Sequence, residues 1–108
     1  MDLMLNIMFT VVGMQYVNRT VEDVAACKSV TFELEPDNKF DKNAIRVLDP
    51  EGVALGHVGA SECASLRKTV EDLGQSFPYT AMVRDAIPSK ASVKMGVIVC
   101  SFDPNEED

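Results

Sequence analysis

The stretch Glu33-Leu34-Glu35-Pro36-Asp37-Asn38-Lys39-Phe40-Asp41-Lys42-Asn43-Ala44-Ile45-Arg46-Val47 decides how this chain is read. It opens as an alternating strand, breaks into a polar loop at Pro36 and resumes as a second strand at Ala44. Proline has no N–H and a fixed φ, so a strand entering at Glu33 ends near Pro36. Asp37, Asn38, Asp41 and Asn43 carry short polar side chains that bond nearby backbone and hold tight turns. Phe40 is then a large aromatic set among polar and charged neighbours. Two readings of it stay open: a plug for the end of a barrel, or an exposed surface for a ligand.

On the N-terminal side of the loop, Val30, Phe32 and Leu34 alternate with Thr31, Glu33 and Glu35, the pattern of a half-buried strand from Ser29 to Glu35. On the C-terminal side, Ala44 to Leu48 is a strand with Ile45 and Val47 on one face. Asp49-Pro50-Glu51-Gly52 has the chemistry of a turn, and Val53 to Val58 completes a hairpin. Further out, Met4 to Tyr16 reads as one long strand, apolar on both faces in its middle. Gly13 marks a bulge or a close backbone approach that turns Gln15 and Tyr16 away from the core. Thr20 ahead of Glu22 and Asp23 predicts the N-cap of a short helix within 18–28.

Ser61 is the expected N-cap of a longer helix. Cys63, Ala64, Leu66, Val70 and Leu73 form its apolar stripe, Gly74 its stop, and Glu62, Arg67, Lys68, Glu71 and Asp72 its solvated face. Phe77 to Asp85 alternates again, Ile87-Pro88-Ser89-Lys90 reads as a turn, and Ser92 to Phe102 as the last strand. The methionines at 4, 8, 14, 82 and 95 fit core filler. Strands without α/β alternation point to a mainly β fold, a small antiparallel barrel of about six strands with a capping helix. One domain is expected over 1–102, followed by an acidic flexible tail over 103–108.

At 108 residues, 46% hydrophobic and 25% charged, the composition is that of a globular domain able to bury a core without staples. The net charge is −7; Asp103, Glu106, Glu107 and Asp108 account for four negatives, leaving −3 for the body. Such a surface excludes phosphate capture by net charge alone. Cys27, Cys63 and Cys100 form no C-x-x-C pair, so no metal or redox motif is assigned; they read as reduced thiols of a cytoplasmic protein. No apolar run approaches the ~20 residues that span a bilayer, and the start lacks the basic region of a signal peptide. Gly13, Gly52, Gly56 and Gly59 make no nucleotide-binding loop. His57, the single histidine, has no nucleophile in a motif beside it. No catalytic residue and no cofactor is assigned, and a binding protein rather than an enzyme is expected.

The run from Glu35 to Val47 resembles the central signature of the HIRAN domain. That module stands at the N-terminus of fork-remodelling SNF2-type helicases and occurs as a free-standing protein in bacteria and phages. Val11-Val12-Gly13-Met14-Gln15-Tyr16 and Gly52-Val53-Ala54-Leu55-Gly56-His57-Val58 are similar to its flanking segments, in the same order, and the three cover roughly residues 8–60. The resemblance implies an OB-like or SH3-like barrel that captures the 3′ end of single-stranded DNA. Tyr16 and Phe40 match residues that stack on terminal bases, Asp41 the aspartate that accepts from the 3′-hydroxyl, and His57 a polar group near the phosphates. Gln15, Lys42 and Arg46 complete the implied nucleic-acid-binding set. Where the family tends to carry a basic residue and two aromatics, this chain has Gln15, Tyr16 and Val17. Gly59 and Ala60 stand where a basic residue is expected. A helicase or nuclease is the protein partner that the resemblance suggests. The competing function is an adaptor that keeps the barrel and offers an acidic surface to a basic partner.

Overall fold

Alternation places one face of each strand inside, and six such strands close on themselves in the order β1-β4-β3-β2-β5-β6, every neighbouring pair antiparallel. A computed structural model describes residues 2–103. The strands are β1 (Met4–Val12), β2 (Ser29–Leu34), β3 (Ile45–Leu48), β4 (Ala54–Val58), β5 (Tyr79–Pro88) and β6 (Ser92–Cys100). Two helices interrupt them, α1 (Val21–Ala25) and α2 (Cys63–Asp72). Phe9 and Phe32 meet edge to face at the barrel centre, ring centroids 5.2 Å apart, among Ile45, Leu55, Met95 and Val97, all fully buried. Val24 of α1 and Leu66 and Val70 of α2 join the same core.

Several boundaries move from their expected places. The long first strand stops at Val12, because Gly13 takes a left-handed conformation (φ +75°) and starts a 3-10 turn, Met14–Val17. Ser61 does not cap α2. It lies in a preceding 3-10 turn, Ala60–Glu62, and Glu62 is the residue before the helix. Gly74 does end the helix: its N–H bonds Glu71 O and that of Gln75 bonds Val70 O, with φ +82° at the glycine. The hairpin from β5 to β6 is tighter than the expected turn, since β5 runs on through Pro88 and Ser89 N–H closes on Ser92 O. Proline is tolerated at that strand end, where the ladder stops.

Met14 and Met95 are core residues, whereas Met4, Met8 and Met82 are exposed on the outer wall of β1 and β5. Apolar residues on both faces of β1 pointed to a central, curved barrel strand, and β1 does stand in the barrel between β4 and β6. A barrel strand has only one inner face. The acidic tail expected over 103–108 lies, past an exposed Asp103, outside the described residues.

The seam between β1 and β4 is short. Only Val11↔Val58 and Val12↔His57 pair, and beyond them Thr10 would leave its backbone open. Gly59 N–H bonds Thr10 O at 2.8 Å, and the Glu62 carboxylate accepts Thr10 N–H at 2.9 Å. Glu62, expected on the solvated face of the helix, therefore completes the seam. Glu62→Ala strands a part-buried N–H and should destabilise the fold by about 1–3 kcal/mol in urea unfolding, with Glu62→Gln costing less because it keeps an acceptor.

Asp49 organises the β3–β4 turn. Its Oδ1 accepts Glu51 N–H and Val53 N–H at 2.9 Å each, and its Oδ2 accepts from Arg19 Nη2 at 2.6 Å. The bond from Val53, helped by Arg19 and Glu51, outweighs burial and holds this carboxyl below its ordinary value of 3.8. A depressed folded pKa means stabilisation that is complete above 3.8 and is lost as the pH falls through the folded value. Asp49→Asn should therefore flatten the acid limb of the stability–pH curve, read by thermal melts between neutral pH and pH ~3.

Candidate nucleic-acid interface

Gln15 and Tyr16 leave the core because the 3-10 turn that carries them has a left-handed residue at each end, Gly13 before it and Asn18 (φ +58°) after it. Tyr16 N–H bonds Gly13 O, Arg19 N–H bonds Met14 O, and the buried Met14 pins the turn to the core. Tyr16 is 85% exposed, so its ring is held out from an anchored base.

The polar loop is tied off at its root by Glu35 N–H to Ala44 O. Inside it, Asn38 Oδ1 accepts two backbone donors, Phe40 N–H at 2.9 Å and Asp41 N–H at 3.0 Å. Asp41 Oδ1 accepts Asn43 N–H at 2.9 Å, and Asp41 O accepts Ala44 N–H. Asn43 receives a cap and provides none among the described residues, contrary to a turn-capping role for its side chain. Two short polar side chains thus hold the backbone around Phe40, whose own side chain is 98% exposed. It is not a barrel plug. Asp41 keeps Oδ2 without a hydrogen-bond partner among the described residues, and the flanking Lys39 and Lys42 are exposed.

Glu33, Arg46 and His57 share one rung across β2, β3 and β4, which continues to Val12 on β1. Arg46 Nη2 bonds Glu33 Oε1, and His57 Nε2 shares a hydrogen bond with Glu35 Oε1. Arg46 Nε is buried with no partner among the described residues. The His57–Glu35 bond ties the loop root to β4, and the Tyr16 turn packs beside the same strand. The sequence-predicted residues Gln15, Tyr16, Arg46 and His57 are thus drawn toward one side of the barrel, with Phe40, Asp41 and Lys42 on the loop that rises from it.

Glu33 and Glu35 were legible only as outward strand residues; the signal for their role was the alternation that puts them opposite Arg46 and His57. Lys39 carried no signal beyond its place beside Phe40. Burial pushes the Cys27, Cys63 and Cys100 thiols up, which keeps them protonated. No three His, Cys, Asp or Glu side chains among the described residues converge as metal ligands. No helix among the described residues is long and apolar enough to cross a membrane.

Residues 4–100 match the HIRAN domain. The chain belongs to the HIRAN domain family. In fold it is similar to the crystal structure of a protein from Lactobacillus plantarum, at 23% identity and a TM-score of 0.65, over 92% of this chain and 97% of that one. It is similar also to the crystal structure of the HIRAN domain of human HLTF, at 20% identity and a TM-score of 0.59, over 91% of this chain and 79% of that one. Comparison with curated proteins finds no match. HIRAN domains are, as a family, DNA-binding modules.

The two bonds to Asn38 make it the residue on which the loop depends. Asn38→Ala should leave the melting temperature nearly unchanged while the amides of Phe40 and Asp41 exchange with solvent markedly faster, as read by residue-resolved hydrogen exchange.

Proposed function

We propose that this protein is a non-enzymatic HIRAN module that recognises the 3′ end of single-stranded DNA. The observation that carries this is Phe40: a fully exposed aromatic on a loop whose backbone is pinned by Asn38 and Asp41. An aromatic held in place stacks on a base without having to be ordered first, and each stacked base is worth about 1–3 kcal/mol whatever its identity. Tyr16 supplies the second face. The open Oδ2 of Asp41 accepts from a terminal 3′-hydroxyl and repels the phosphate of a continuing strand, so the same carboxylate binds ends and rejects interiors. Lys39 and Lys42 lie within the same loop to hold the last phosphates. A helicase or nuclease acting at the same end is the partner such a module serves.

The exposed methionines of β1 and β5 favour a second reading, an adaptor whose outer wall meets another protein.

Fluorescence anisotropy with labelled single strands ending in a 3′-hydroxyl or a 3′-phosphate separates the two. The hydroxyl strand should bind and the phosphate strand should not. Phe40→Ala and Tyr16→Ala should each weaken binding by about 1–3 kcal/mol, roughly 5- to 150-fold. Asp41→Asn keeps the acceptor for Asn43 N–H, so the loop stays folded while discrimination between the two ends disappears. A folded protein that binds neither strand assigns the barrel to the adaptor role.

A further inference from the structure

Two basic side chains of the proposed site, Arg46 and His57, are already occupied. Glu33, Arg46 and His57 stand on one rung, and Glu35 lies two residues beyond Glu33, just past the end of β2. Arg46 is engaged by Glu33, and His57 by Glu35. The four side chains are between 26% and 38% exposed, deeper than a loose surface pair, so solvent and salt screen them incompletely. Two carboxylates stand against one guanidinium and one imidazole, so the quartet carries no net positive charge. A phosphate approaching Arg46 therefore meets an anion already on the guanidinium and a second one beside it, and like charges a few ångströms apart oppose each other.

We infer that Glu33 and Glu35 are affinity- and specificity-determining residues of the DNA site: internal carboxylates that take the place of backbone phosphates on Arg46 and His57. The inference rests on the reading of this surface as a DNA-end site. Its consequence is selective. Contacts from the strands to the DNA interior are weakened, and what remains lies at the terminus: the rings of Tyr16 and Phe40, the carboxylate of Asp41, and Lys39 and Lys42 on the last phosphates. The Arg46 side chain remains 38% exposed while one of its terminal nitrogens holds Glu33. It can therefore take a phosphate once the carboxylate charge is removed. The opposite role, in which Glu33 orients Arg46 for phosphate, predicts the opposite sign.

The test compares the wild-type protein with Glu33→Gln, Glu35→Gln and the double variant, using labelled oligothymidine with a 3′-hydroxyl or a 3′-phosphate over a series of salt concentrations. Glutamine keeps the size and an acceptor oxygen at each position, and thermal melts confirm the fold of each variant. Glu71→Gln, on the exposed face of α2, makes the same change in net charge away from the rung. Unmasking one cation should steepen the dependence of log K on log salt by about 0.7 and tighten binding five- to tenfold near ~50 mM salt. The 3′-phosphate strand should gain proportionally more than the 3′-hydroxyl strand, so that preference for the end falls. Binding that appears only in the Glu33 and Glu35 variants, with none in the wild type, overturns the DNA-end reading and the inference that rests on it. Unchanged or weaker affinity with an unchanged salt slope overturns it, as does an equal gain in Glu71→Gln. If the wild type still discriminates the two ends in that case, the DNA-end reading stands alone. Absence of binding in the wild type and in every variant overturns both.

Discussion

Closure of the barrel between β1 and β4 is the constraint on which the rest of the structure depends. Two residue pairs make the seam, and it continues only because Gly59 N–H and the Glu62 carboxylate take over the carbonyl and the N–H of Thr10. The approach is so close that a Cβ at Gly56 would stand 2.5 Å from the carbonyl oxygen of Val12, at a φ of +150° that side-chain-bearing residues rarely adopt. Gly59 likewise leaves room for the Glu62 carboxylate, which a Cβ would meet at 2.8 Å. The site hangs from this seam: Val12 leads into the turn that carries Tyr16, and its partner across the seam is His57.

The two aromatics are displayed by different means. Tyr16 is projected by backbone geometry, a 3-10 turn held between left-handed residues over a buried Met14. Phe40 is projected by side-chain chemistry, since Asn38 and Asp41 satisfy the amides that a helix or strand would otherwise have paired. Both devices meet the entropic cost of ordering during folding, before any ligand arrives. Electrostatics is arranged in the opposite sense. Arg46 and His57 on the strands are engaged within the protein by Glu33 and Glu35, and the loop itself carries two exposed lysines, Lys39 and Lys42.

Much of this was legible from local pattern. The alternation of Val30 and Phe32 with Thr31 and Glu33, the turn at Asp49 to Gly52, the Thr20 N-cap and the glycine stop at 74 follow from rules of short range, and each was found in place. The motif run from Glu35 to Val47 carried the family, and the family carried the barrel. Misplacements came where a residue's partner is distant in sequence. Glu62 looked like a solvated helix residue because its donor, Thr10, is 52 positions away. Met4, Met8 and Met82 looked like core because apolarity does not say which face of a strand is closed.

By itself, then, the sequence determined the elements, their inward faces, the family and the candidate residues, because periodicity, turn chemistry and motif spacing are properties of neighbours along the chain. Only the tertiary structure decided that Phe40 is displayed, that Asn38 and not Asn43 holds its loop, and that Arg46 and His57 are each bonded to a carboxylate. Those outcomes depend on register. Pairing β2, β3 and β4 puts Glu33, Arg46 and His57 on one rung, and a slip of one residue would turn them to opposite faces. Register is fixed by closure of the whole barrel, which no short stretch of the chain contains.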